Sequence, residues 1–131
     1  MPSLWPTEFG TELMTPPIGI LREQAEYLGQ QTQGLVLATV NTVHEVEMFI
    51  HHFKVVAPFL DNYTYVLFSV VHRLPLYPLE IDAPVAKKSY GNVKNEAEFR
   101  GILEGILNSE GVKQIVRALI VQSVPEPKAT G

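Results

Sequence analysis

Hydrophobic residues recur at helical spacing in three stretches and crowd together without it in the middle of the chain. Ile18, Leu21, Ala25 and Leu28 form one stripe at i, i+3, i+7 and i+10, with Arg22, Glu23 and Glu26 off it. Thr15-Pro16-Pro17 offers an N-cap and a first turn that tolerates proline, and Gly34 offers a stop. This predicts a helix over 16–31. Phe99, Ile102, Leu103, Ile106 and Leu107 repeat the pattern after Asn95 and Glu98, a capping-box pair. Val112, Ile115, Val116, Leu119 and Ile120 repeat it again, which predicts a third helix over 110–123. The β-branched residues there leave a strand over 115–124 as the alternative.

Between these lie segments rich in Val, Phe and Tyr, the composition strands favour. They predict strands over 35–43, 46–57, 64–73 and 76–81. A hairpin turn is expected at 41–45, and a loop at 59–63 turning on Asp61-Asn62. Pro78 would mark the fourth strand as a sheet edge, since proline cannot donate to a ladder. Residues 82–94 read as a polar loop. The short links favour antiparallel pairing. The expected fold is α+β: a four-stranded antiparallel meander preceded by one helix and followed by two, in the order α-β-β-β-β-α-α. Residues 1–14 are expected as an extended arm, 15–124 as a single domain, and 125–131 as a flexible tail.

The strands carry more apolar surface than one buried face uses. Residues 34–84 hold 29 hydrophobic and seven charged positions. In a regular second strand Phe49, Phe53, Val55 and Ala57 oppose Met48, Ile50, His52, Lys54 and Val56. In the third, Tyr65, Leu67 and Val71 oppose Val66, Phe68 and Val70. A half-solvated strand alternates more cleanly. The second face therefore needs a cover: the arm, a ligand or another subunit. A homodimer through the sheet is the expected arrangement. The alternative is a monomer with helices on both faces.

The composition narrows the classes. With 46% hydrophobic and 18% charged residues the chain is neither disordered nor, lacking cysteine, a disulfide framework. A net charge of −4 and scattered basic residues argue against nucleic-acid binding. The densest basic group, Lys87, Lys88 and Lys94, reads as solvated surface. No apolar run is long enough to cross a bilayer, and the N-terminus lacks secretory-signal features, so a cytoplasmic protein is expected.

Candidate chemistry is sparse. His51 and His52 are neighbours in a strand and point to opposite faces, while His52 and His72 are placed to meet across adjacent strands. No metal-ligand spacing or nucleophile elbow is present, so no metal, cofactor or catalytic residue is expected. Ser69 reads as a small sheet residue. Gly101 and Gly105, four apart, suggest close packing on a neighbour. A ligand pocket, if built, would draw on His52, His72, Arg73 and Tyr65. An interface would draw on Trp5, Met48, Ile50, Phe59 and Tyr63, aromatic and apolar residues of the types that anchor contacts. The sequence thus reads as a non-enzymatic interaction or regulatory module that self-associates through its sheet, with a possible protein partner. The alternative is a small-molecule binding protein or small enzyme with a pocket between sheet and helices.

Overall fold

The computed structural model describes residues 2–11 and 15–124. Helix α1 spans Pro17–Gln31. Five strands follow: β1 Leu37–Glu45, β2 Met48–Ala57, β3 Tyr63–Arg73, β4 Leu79–Ala83 and β5 Lys88–Val93. Helices α2, Glu96–Leu107, and α3, Glu110–Ser123, close the chain. The sheet is an antiparallel meander in the order β1-β2-β3-β4-β5. The architecture is α+β as expected, with one strand more than expected.

The extra strand is β5, in the segment read as a loop. Lys88–Val93 has no apolar alternation of its own; only Val93 is buried in it. Its pairing with β4 makes it a strand, and the short helical turn Pro84–Ala86, ending on left-handed Lys87, turns the chain back. The fourth strand also shifts, from 76–81 to Leu79–Ala83. Pro78 precedes it instead of lying within it, so β4 is an inner strand and not an edge. The first hairpin turns at Val46-Glu47, with Glu47 left-handed, because Glu45 pairs directly with Met48. The Asp61-Asn62 turn is where the sequence placed it, both residues being left-handed.

The helix ends follow local chemistry. The Asn95 side chain accepts from the Glu98 amide at 2.9 Å, and the Glu98 carboxylate accepts from the Lys94 amide at 3.2 Å. Ser109 caps α3, which is a helix throughout, so the strand alternative over 115–124 is excluded. At α1 the N-cap is Pro16, not Thr15, and makes no side-chain cap bond. Gly34 stops the helix as expected: its amide bonds the Gly29 carbonyl at 2.9 Å with φ +82°.

The core lies between the three helices and one face of the sheet. Ile20 and Leu21 from α1, Phe99, Leu103 and Ile106 from α2, and Val112 and Leu119 from α3 pack on Phe53, Val55, Phe68, Val70, Leu79 and Ile81. The β2 side chains alternate as expected. Those of β3 do not, because a bulge interrupts the register: Phe53 pairs with Phe68 but Lys54 with Val66, leaving Leu67 over. A bulge puts two consecutive side chains on one face. Leu67 and Phe68 are accordingly both buried, and Tyr65 stands on the covered side with them. Val71 falls on the open face with Ile50 and Val43, its register partners.

The spacing of Gly101 and Gly105 does not serve close packing, since a Cβ at either meets nothing within 4 Å. Gly111 has that role instead. A Cβ there would overlap the Val85 carbonyl, so the start of α3 rests directly on the backbone before β5.

Candidate functional site

Four places in the fold gather the candidate chemistry. The first is a histidine pair at the end of the covered face. His72, not His52, meets His51: their Nε2 atoms are 2.8 Å apart. The register sets His52 against Ser69, with Nδ1 2.7 Å from Oγ, on the open face. The expected His52–His72 contact is thereby corrected. The two β2 histidines do point to opposite faces, and the one that lies diagonally across from His72 is His51.

The buried pair has a fixed proton order. The Arg73 carbonyl only accepts, so His72 Nδ1, 2.6 Å away, is the donor. With both rings neutral, His72 Nε2 must accept from His51 Nε2–H. His51 Nδ1 then accepts from the Thr42 hydroxyl at 2.8 Å. His51 is 3% exposed and His72 7%. Burial, and then the neighbouring His72, push the His51 pKa from 6.5 down to about 4. Phe49 stacks on His72 at 5.4 Å and meets His44 edge-on at 5.0 Å. The cluster satisfies its own polar atoms inside the core, which is structural chemistry.

The second place is the His52–Ser69 contact. A hydroxyl and an imidazole at 2.7 Å resemble a nucleophile and its base. Both, however, sit mid-strand, between paired strands whose amides are engaged in the ladders. The pair continues a polar row across the open face, Asn41, His52, Ser69, Asp82 and Ser89, each opposite the next.

The four expected ligand residues do not converge. A cavity of about 310 Å³ under residues 74–78 holds His72 and Arg73 with Met48 and Tyr77. The Tyr77 hydroxyl is buried without a hydrogen-bond partner among the described residues, and burial raises its pKa. Arg73 pairs with Glu47 at 3.5 Å, both well exposed, which adds little stability. His52 is on the opposite face. Tyr65 is at the other end of β3, lining a separate pocket with Leu60 and Tyr63. Among the described residues, no group of three His, Cys, Asp or Glu stands ready to hold a metal ion.

The expected interface residues are also dispersed. Met48 and Ile50 lie half-buried on the open face. Phe59 and Tyr63, 69% and 51% exposed, flank the Asp61-Asn62 turn at the far end. Trp5 is 76% exposed in the arm, its ring centroid 6.2 Å from that of Phe9. Residues 2–11 are exposed throughout and leave the sheet's open face uncovered; 1, 12–14 and the expected tail 125–131 lie outside the described residues.

Sequence reasoning missed the two remaining places. One is the outer edge of β1, where a shallow groove runs between the strand and Arg22, Glu26 and Gly29 of α1. Its signal was the uncharged run Leu37–His44. The other is a deeper groove between α1 and α3, floored by Phe53 and Leu67 and rimmed by Lys113 and Arg117. It depends on the bulge, which no spacing in the sequence marks. No protein-family model, curated protein or solved structure matches this chain, so the site rests on its own geometry.

Proposed function

We propose that this protein is a non-enzymatic interaction module that self-associates through its sheet, by pairing the β1 edges of two copies. The observation that carries this reading is the state of that edge. β1 is nine residues long, regular, free of proline and lysine, and charged only at its last residue, Glu45. Such an edge is a ready template for another strand unless something guards it. The helices cover only the opposite face, and α1 leaves the groove beside β1 open.

A two-fold axis at Val40 gives antiparallel pairing of 37–43 with 43–37, in which no paired β1 residue is charged. Thr39 then faces the partner's Asn41, and Leu37 faces the partner's Val43. On the open face each copy has two apolar rows, Val43-Ile50-Val71 and Leu37-Val56, at opposite ends of β1. This register joins the first row of one copy to the second row of the other. Met48 and Ile50 contribute to the merged patch, while Phe59, Tyr63 and Trp5 lie away from it. The result is a continuous ten-stranded sheet, an isologous arrangement typical of two-fold dimers.

Sedimentation velocity at about 10 μM tests it. The wild type should sediment as a dimer. The double variant Thr39→Lys, Asn41→Lys places like charges opposite one another across the axis and should be a monomer with unchanged far-ultraviolet circular dichroism. Because the chain has no cysteine, Val40→Cys should form one disulfide-linked dimer under mild oxidation. A monomeric wild type, or a dimer that survives both lysines, overturns the reading.

A further inference from the structure

We infer that the groove between α1 and α3 is a binding site for a small apolar-tailed anion, such as a medium-chain carboxylate. The groove has a volume of about 570 Å³. That lies within the range of single small-molecule sites. Its floor is the bulge: Phe53 and the supernumerary Leu67 stand side by side on the covered face. Leu28 of α1 and Val116 of α3 form the apolar walls.

The rim decides the head group. Lys113 and Arg117, one turn apart on α3, both line the groove and are exposed. No carboxylate lines it, although the chain holds 14 acidic residues against 10 basic ones. Lys113 has a weak pairing with exposed Glu110 at 3.8 Å. Arg117 has no ion pair among the described residues. A carboxylate there takes charge-assisted bonds from a planar guanidinium, while its tail lies along the half-buried Leu28, Val116 and Ile120 above the Phe53–Leu67 floor. The polar groups from α1, Gln24, Tyr27 and Gln31, neither repel an anion nor require one.

Three ten-carbon probes of equal tail and different head test the site on the full-length protein. Amide and methyl resonances are followed with decanoate, decanol and decyltrimethylammonium, each below its micelle concentration. Decanoate should bind once, saturably, shifting Leu28, Leu67 and Val116, and about tenfold more tightly than the ammonium probe. The variant Lys113→Gln, Arg117→Gln changes only exposed side chains. It should lower decanoate affinity about tenfold, to that of decanol, leaving decanol binding unchanged. Leu67→Gln should weaken all three, and its dispersion checks that the fold survives. Equal binding of decanoate and the ammonium probe, binding of none of the three, or shifts mapping away from the groove overturns the inference. So do groove resonances that move with protein concentration alone, because a second copy then occupies the site.

Discussion

The two edges of this sheet are built in opposite ways. β5 is short, begins with Lys88 beside Lys87, contains Gly91 and left-handed Asn92, and loses register with β4 between Leu79 and Ile81. Each of these features spoils a template for further pairing. β1 has none of them. Of the two edges, only β5 carries such guards. The backing differs too. The β5 side is locked to α3 by backbone contact at Gly111 and Val85, whereas the β1 side rests on α1 and on the histidine pair beneath it.

The largest effect should come from unlocking the β5 side. Gly111→Ala forces a Cβ into the Val85 carbonyl, and backbone cannot step aside as a side-chain tip can. The expected loss is about 3 kcal/mol or more, a fall in Tm of about 10 °C or more. Hydrogen exchange should show β5 and the start of α3 losing protection ahead of β1. Equal loss at both edges would break the contrast.

The β1 side should respond to pH instead. Unfolded, His51 takes up a proton near 6.5; folded, only near about 4. Between these values the unfolded chain holds more protons, so stability is full above pH 6.5 and declines as pH falls, levelling off below about 4. The groups acting on His51 are His72 of β3, Arg22 of α1, His44 of β1 and its neighbour His52, all of which oppose its charge. Urea midpoints measured from pH 7 to pH 4 should give a loss of about 2–3 kcal/mol, absent in His51→Gln. Thr42→Val removes the donor to His51 Nδ1 and should cost about 1–2 kcal/mol at pH 7. A pH response intact in His51→Gln would assign the effect elsewhere.

What was legible in the sequence was what local chemistry decides. The bounds of α3, the Asn95 cap and the Asp61-Asn62 turn each depend on residues within a few positions. β5 was illegible because Lys-Ser-Tyr-Gly-Asn-Val becomes a strand only by pairing with β4. The faces of β2 were legible by alternation. Those of β3 were not, because one unpaired residue, Leu67, reverses the parity after it. The histidine partners failed for a related reason. Parity separates His51 from His52, but which of them reaches His72 is set by register. Register depends on a hairpin turn at Asp61-Asn62, read correctly, and on that bulge, which was not. The groove rimmed by Lys113 and Arg117 inherits the same obstacle, since Leu67 in its floor is the residue the bulge turns inward.

The smallest effect concerns α2, the helix that follows β5. Gly101 and Gly105 are interior helical positions where a methyl group meets nothing within 4 Å. Glycine there carries excess backbone entropy in the unfolded chain and gains no contact in return. Gly101→Ala should therefore stabilise the protein by about 0.5–1 kcal/mol, read as a higher urea midpoint at unchanged slope. The same substitution at Gly111, one helix later, has the opposite sign and a larger size. The pair isolates the backbone contact at Val85, since the chemical change is identical and only the space around it differs. A destabilising Gly101→Ala would mean that α2 packs closely on a neighbour through its glycines. The β5 side would then owe its order to two helix contacts instead of one.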